Sequence, residues 1–178
     1  LYDEKTASLK NKSKHTKQEI DTLITYAELS LEDNPFDLRH MSFLVHALKE
    51  KQKHFRAKFW EYRLENLLGA IKSTGTGEDV DNAWVVIYPA HEYDMVQLLG
   101  YNAVDVDFET YPGFDILKVV PEEETARRLG NKTANKFFFN VIIPTEQFEL
   151  KHPEDTEEAV EEEENIVQEE DPDEAPAE

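Results

Sequence analysis

The chain of 178 residues contains no cysteine, no long apolar run and comparatively little positive charge. The absence of cysteine excludes disulfides, thiolate metal sites and cysteine nucleophiles. No apolar run approaches the roughly 20 residues that a membrane-spanning helix requires. Because 39 Asp and Glu residues outnumber 19 Lys and Arg residues, the net charge of −20 argues against binding of nucleic acid, which needs clustered cations.

The negative charge is concentrated at one end of the chain. Residues 152–178 hold 14 acidic residues and no Lys or Arg, whereas residues 1–151 hold 25 acidic and 19 basic residues. A segment with so few apolar residues does not offset its ordering entropy. We therefore predict a single domain in residues 1–151 and a disordered acidic tail in residues 152–178. Because the chain begins at Leu1, we interpret it as a processed or excised piece.

Residues 15–73 have helical periodicity. Thr16 and Glu19 form a capping box, and apolar residues follow at the spacing of one buried helix face. Proline disfavours helical geometry in the residue before it, so this helix should end near Asn34. We expect Asn34 to be the N-cap and Pro35 the first residue of a second helix.

A third helix is predicted from about His54 to Lys72, with apolar residues in two stripes. One stripe comprises Ala57, Trp60, Leu64, Leu67, Leu68 and Ile71, and the other comprises Phe55, Phe59 and Tyr62. A helix that is apolar on two sides is usually packed on two sides. Three antiparallel helices with short loops have the geometry of a tetratricopeptide-like hairpin repeat, of which about one and a half units are present.

Residues 83–150 change to a mixture of strands and short helices. The predicted strands cover residues 84–88, 104–108, 114–120 and 136–143, and the predicted helices cover residues 91–99 and 121–130. Gly100 should end the first of these helices, and Pro112-Gly113 predicts a type II turn between two strands. Short connections after a helical half indicate an α+β fold with a small antiparallel sheet.

The loop Ser73–Gly77 is the first candidate site, with Thr74, Gly75, Thr76 and Gly77 as its members. It follows a helix rather than a strand, and no Lys-Ser/Thr pair closes it, so it does not match a phosphate-binding loop. The structural interpretation, in which the glycines end the helix, is favoured. Asn82 closes an acidic cluster, Glu78, Asp79 and Asp81, whose spacing matches no calcium-binding loop; a solvated turn is the favoured interpretation.

The segment His91-Glu92-Tyr93-Asp94 is the second candidate. It begins like a zinc-protease motif, but Met95 stands where the second histidine is required. Because His91 and Asp94 lie one helical turn apart, Asp94 is a candidate to orient the imidazole for acid–base chemistry. The favoured interpretation is structural, with Glu92 or Asp94 stabilising the first helical turn and Tyr93 in the core, because no nucleophile accompanies them.

The basic stretch Lys49–Lys58 is interpreted as a solvated turn. We expect the acidic tail to contact it only weakly at physiological salt, because screening shortens the range of such attraction. No serine lies in a Gly-x-Ser-x-Gly nucleophile elbow, so serine catalysis is not indicated.

Several short motifs, in a linked order, carry a family resemblance. They are Ala27–Arg39, Ala47–Lys51, Ser73–Gly77, Ala83–Ile87, His91–Asp94 and Leu98–Tyr101. Over residues 15–120 the chain resembles an uncharacterised family of secreted Bacteroidetes proteins, a domain of unknown function. The resemblance implies a periplasmic or secreted location, a helical-repeat-like front half and no established activity. It makes the two candidate segments the best site predictions, and it treats residues 121–130 and the tail as additions.

Two functions remain open. The first is a non-enzymatic binding or scaffold module outside the cytoplasm that holds a protein or peptide partner on its helical hairpins. The second is a small hydrolase or small-ligand-binding protein, with a site where the loop 73–77 and Asn82 meet residues 91–94. No catalytic residue, metal or cofactor is predicted. The second function would be favoured if His91, Glu92 or Asp94 faces a cleft within reach of Thr74, Thr76 or Asn82. The first would be favoured if His91 is buried against Trp84 or hydrogen-bonded to the backbone.

Overall fold

The computed structural model describes residues 15–151. The helices are α1 (Lys17–Asp33), α2 (Leu38–Glu50), α3 (His54–Lys72), α4 (Ala90–Leu98), α5 (Glu123–Leu129) and α6 (Ile142–Lys151), and Gly130–Lys132 forms a 3-10 turn. The strands are β1 (Trp84–Val85), β2 (Tyr101–Asp107), β3 (Phe114–Pro121) and β4 (Lys136–Asn140). Three helices followed by a small sheet with short helices confirm the α+β class. The predicted disorder of the tail concerns residues outside the described part.

The start of α1 confirms the predicted capping box. The Glu19 amide donates to Thr16 Oγ1 at 3.2 Å, and the Thr16 amide donates to Glu19 Oε2 at 2.7 Å. These bonds satisfy amides that lack partners within the helix. The buried face of α1, beginning with Ile20, Leu23 and Ile24, then packs on α2.

Thr16→Ala is expected to lower the free energy of unfolding by about 1 kcal/mol, because the Glu19 amide loses its acceptor. Urea denaturation followed by circular dichroism measures the change. Thr22→Ala is the matched control, since the Thr22 hydroxyl donates to Gln18 O within α1 and has no capping role. Equal losses in the two variants would contradict the role of the cap.

The second helix begins later than predicted, at Leu38 rather than Pro35. Asp37 is the N-cap: its Oδ1 accepts from the His40 amide at 2.8 Å, and its Oδ2 lies 2.7 Å from His40 Nδ1. Asn34 instead closes the preceding turn by accepting the Phe36 amide on its side chain at 3.3 Å. Asp37 gains a ring contact in addition to the capping bond, and this second contact explains why it displaces Asn34.

The third helix has the predicted bounds, but only one of its two apolar stripes is packed. Ala57, Leu64 and Ile71 are buried, whereas Phe55 and Phe59 are 90% and 55% exposed. The prediction of packing on two sides is therefore wrong for the aromatic stripe within residues 15–151. The reason is topological, because α2 contacts both α1 and α3 and leaves α3 at the end of the row of helices.

The sheet has the strand order β1-β4-β3-β2. The pairs β2–β3 and β3–β4 are antiparallel as predicted, and the turn at Pro112-Gly113 is confirmed by the bond from the Phe114 amide to Tyr111 O and by a φ of 80° at Gly113. The pair β1–β4 is parallel, so the sheet is mixed rather than antiparallel. Parallel strands need a crossover connection, and α4 supplies one between the edge strands β1 and β2.

The last strand is shorter than predicted. It ends at Asn140, and Ile142 and Ile143 belong to α6 instead. The Asn140 side chain accepts the Ile142 amide at 3.1 Å. Pro144 lies in the first turn of α6, where an amide has no intrahelical acceptor, so the proline is tolerated and does not end the strand. Likewise β1 covers two residues of the predicted run 84–88.

One apolar cluster joins the helices to one face of the sheet. Its fully buried members include Leu38, Leu44, Leu48, Val86, Met95, Leu117 and Phe139. Trp84 lies at its centre, with ring centroids 5.1 Å from Phe137 and 5.6 Å from Phe139. Among the described residues, no helix has both the length and the apolar character needed to cross a membrane.

Candidate functional site

The loop after α3 uses its polar groups to hold β1. Thr74 Oγ1 donates to Ile71 O at 2.7 Å and accepts from the Val85 amide at 2.8 Å. Gly75 O accepts the Trp84 indole N–H at 2.9 Å. A Cβ on Gly75 would lie 2.2 Å from Asn82 O, so only glycine fits there. These groups therefore support the strand and are not free to cradle a phosphate.

The rest of the first candidate segment is also engaged in the fold. Gly77 has a φ of 71°, lies against the Trp84 ring and accepts the Phe138 amide of β4 at 3.0 Å. Asp79 Oδ1 accepts two hydrogen bonds from Asn82, one from its backbone amide at 2.9 Å and one from its side-chain Nδ2 at 2.8 Å. Thr76 is exposed. Gly77 is thus required at a tight contact with the core rather than at the end of α3, which stops at Lys72.

The second candidate segment lies on α4, where three ionisable side chains within about one helical turn are buried. His91, Glu92 and Asp94 are 1%, 2% and 4% exposed, which is unusual for ionisable residues. Tyr93 is 45% exposed, so its predicted place in the core is wrong. Met95 and Val96 are also buried in the apolar core, and Tyr93 lies on the narrow face of α4 that remains exposed.

His91 fastens α4 to the turn between α1 and α2. Its Nε2 lies 2.8 Å from Phe36 O, and because a carbonyl only accepts, Nε2 carries the proton. Burial lowers the pKa of His91, which favours the neutral ring. Nδ1 then has a lone pair and no hydrogen-bond partner among the described groups. The imidazole is therefore oriented by backbone and not by Asp94.

Asp94 pairs with Arg39 of α2. Two guanidinium nitrogens, Nε and one terminal nitrogen, lie 2.9 and 2.8 Å from Asp94 Oδ1. Burial raises the pKa of Asp94, and the Arg39 charge opposes that rise. Asp94 therefore forms an ion pair that links α4 to α2, in place of the less favoured alternative in which it orients His91.

Glu92 faces the opposite direction, toward Asp115 of β3. Burial, followed by the charge of Asp115 and a hydrogen bond with it, raises the pKa of Glu92 to about 9. Burial also raises the pKa of Asp115. The pair therefore holds a proton at neutral pH, with Glu92 as the donor. Glu92 Oε2 has no hydrogen-bond partner among the described groups.

A cavity of about 380 Å³ opens beside the ion pair, between α2 and α4. Its lining residues are Arg39, Ser42, Phe43, Asp94, Gln97 and Leu98. No residue of the loop 73–77 lines it. The hydrogen bonds of that loop join it to β1 and β4. The residues of the α4 cluster instead contact the turn between α1 and α2, α2 itself and β3, so the two candidate segments stabilise different parts of the fold.

The family model described as Domain of unknown function (DUF4919) matches residues 2–150. The chain belongs to this family. The match extends past residue 120, so the helix over residues 121–130, expected to be an addition, lies within the matched region of the DUF4919 domain. No curated protein and no solved structure matches the chain.

The sequence of this DUF4919 domain points to His91, Glu92 and Asp94 but not to the residues that they contact. Arg39 lies 55 residues from Asp94, and Phe36 lies 55 residues from His91. A local sequence pattern cannot predict a contact between residues so far apart in the chain. The one available signal in the sequence is that His91, Glu92 and Asp94 stand next to the apolar pair Met95-Val96, because ionisable side chains that are buried require partners.

Proposed function

We propose that this protein is a non-enzymatic module that binds a protein or peptide partner on the outer face of α3. The supporting observation is the exposure of Phe55, Phe59 and Tyr62, at 90%, 55% and 66%. Spacings of four and three residues place these rings on one side of the helix. Single exposed apolar residues are ordinary, but contiguous groups mark interaction surfaces. We call this group of three the aromatic face.

The aromatic face borders a groove that extends the surface toward α2. Arg63 connects the two, because its guanidinium carbon lies 5.9 Å from the Phe59 ring centroid and 4.7 Å from that of Trp60. The groove has a volume of about 310 Å³ and is lined by Pro35, Phe36, Met41, Arg63, Asn66 and Leu67. Aromatic rings and arginine beside an apolar groove are the side chains that anchor peptide partners.

The alternative function, a small hydrolase or small-ligand-binding protein, has less support. His91 is bonded to Phe36 O and Asp94 to Arg39, so neither is placed to activate a nucleophile. Within residues 15–151, no group of three or more His, Asp and Glu side chains is arranged to hold a metal ion. The exposed surface therefore supports a function better than the buried cluster does.

A displayed random-peptide library selected on the full-length protein tests the proposal. Peptides that bind should lose about tenfold or more in affinity on Phe59→Ser, because removal of a central aromatic anchor typically costs that much. Calorimetric titration measures the change. Phe108→Ser is the matched control, since Phe108 is 63% exposed and lies directly after β2, away from α3 in the chain.

Two results would contradict the function proposed. One is a selection that yields no binder, and the other is a set of binders that Phe59→Ser and Phe108→Ser weaken equally. Thermal melts of both variants show whether each still folds. Exposed side chains at these positions predict melting temperatures close to that of the unmodified protein.

We further propose a periplasmic or secreted location. The support is the resemblance to secreted Bacteroidetes proteins in the motifs given above. Fractionation of cells that produce the protein naturally, with detection by an antibody, tests the location. Recovery with cytoplasmic markers alone would contradict it.

A further inference from the structure

We propose that the chain supplies its own occupant for the aromatic face: residues 157–170 of the acidic tail dock there and compete with the external partner. This inference rests on the proposed function for its surface. The aromatic face would then recognise a segment in which apolar residues are flanked by acidic ones. The charge around α3, the order of residues in the tail and its reach support it.

Positive charge is concentrated around the start of α3. Residues 49–65 hold six Lys or Arg residues and three Glu residues, whereas residues 15–151 as a whole hold 15 basic and 23 acidic residues. The surface around the aromatic face is thus locally basic in an acidic protein. Local charge of opposite sign steers association and fixes its register.

Two of these cations, Lys58 and Arg63, border the aromatic face. Lys49 pairs with Glu61, Lys51 pairs with Asp21, and Arg56 pairs with Glu28. Among the described residues, neither Lys58 nor Arg63 forms an ion pair. At 100° per residue, Lys58 lies on one side of the aromatic face and Arg63 on the other. The surface is therefore an apolar stripe with a cation along each border.

The tail has the complementary order of residues. Its two apolar pairs, Ala159-Val160 and Ile166-Val167, are each bordered by glutamates, directly or one residue away, on both sides. An apolar centre with acidic borders matches an apolar stripe with basic borders. Ile166 and Val167 are also of a size to enter the groove beside Arg63.

The tail is long enough to reach α3, because its extended length exceeds the diameter of the domain. The 15 residues from Lys151 to Ile166 span at most about 50 Å. A domain of this size has a radius of gyration of about 14 Å and is about 40 Å across. Tethering also replaces a bimolecular encounter with an effective concentration in the millimolar range, at which even weak contacts are populated.

The absence of cysteine makes a clean test available in the full chain. Asn165→Cys introduces a single thiol for a nitroxide spin label next to Ile166, and ¹⁵N spectra report line broadening near the label. The amide intensities of Phe55, Phe59 and Tyr62 should fall by roughly half or more, given an effective concentration in the millimolar range. Those around Phe108 should change little.

Three comparisons make the result specific. Raising the salt from 0.15 to 1 M shortens the screening length from about 8 to about 3 Å and should weaken the broadening. Phe59→Ser in the labelled chain should abolish it, and Phe108→Ser should leave it unchanged. Ile166→Ser with Val167→Ser should weaken it while preserving the charge.

Absence of broadening at α3 would overturn the inference. Broadening that appears only between labelled and unlabelled chains would also overturn it, in favour of docking between two copies. If the tail does not dock but library peptides bind at Phe59, the proposed function stands and only this inference fails. If neither the tail nor library peptides bind there, the proposed function fails as well.

Discussion

Glu92→Gln is expected to raise the free energy of unfolding by about 3 kcal/mol at pH 7 and to leave it nearly unchanged at pH 4.5. The cause is the buried carboxyl pair, in which burial and Asp115 raise the pKa of Glu92 from 4.5 to about 9. Glutamine has the shape of the protonated side chain, keeps an N–H donor for Asp115 and has no proton to release. The substitution therefore removes a cost that the native residue carries at neutral pH.

The sign of the stability change depends on when Glu92 loses its proton in the unfolded chain and when it does so in the folded chain. Below pH 4.5 both the folded and the unfolded chain hold the Glu92 proton, so the residue costs nothing. As the pH rises toward about 9, the unfolded chain releases the proton and the folded chain retains it, which lowers stability by up to about 1.4 kcal/mol for each pH unit. The variant lacks this dependence, so the difference between the two proteins grows with pH.

Thermal unfolding at a series of pH values between 4.5 and 9 measures the effect. A gain of about 3 kcal/mol corresponds to an increase in melting temperature of roughly 6–12 °C at this chain length. Glu65→Gln is the matched control, because Glu65 is exposed on α3. Parallel pH profiles for the native protein and Glu92→Gln would refute the shared proton.

Arg39→Ala is expected to lower the free energy of unfolding by about 2–3 kcal/mol at pH 7, because it leaves the Asp94 carboxylate buried without its counter-ion. The cost is below that of a fully buried pair, since the Arg39 side chain is 55% exposed and partly screened. Asp94 is protonated more readily once the guanidinium is gone. The deficit of the variant should therefore shrink as the pH falls.

Urea denaturation at pH 7 and pH 4.5 tests this expectation. Arg39→Ala combined with Asp94→Asn should recover most of the loss, because the double variant buries no charge. Arg63→Ala is the control, since Arg63 contacts aromatic rings and forms no ion pair within the described part of the chain. A loss that persists in the double variant would show that the packing of Arg39, rather than its charge, stabilises the contact.

The sequence was informative wherever a structural signal is local. The capping box at Thr16, the turn at Pro112-Gly113 and the glycine stop at Gly100 each need only a few neighbouring residues, and the structure confirms them. The start of α2 was misplaced because Asn34 and Asp37 are both good caps, and only the contact with His40 decides between them.

Nonlocal features were not predictable in the same way. The helix α4 was recognised, but nothing in its sequence reveals that it crosses the sheet and makes β1 parallel to β4. The motif at residues 91–94 is a candidate site in the sequence because it contains ionisable residues. Its partners, Arg39 and Asp115, come from distant elements, and they give these side chains structural roles within the fold.

The parallel pairing of β1 with β4 also sets an order of events as the chain is made. Trp84 pairs with Phe139, 55 residues later, so β1 has no partner strand until the end of the domain has been synthesised. The contacts between α1, α2 and α3 are short in sequence and close quickly, whereas the sheet closes late. A nascent chain that stops before Lys136 presents an unpaired strand edge, a state in which aggregation and chaperone binding compete with folding. The indole of Trp84, which becomes buried when β4 arrives, is the natural reporter of that final step.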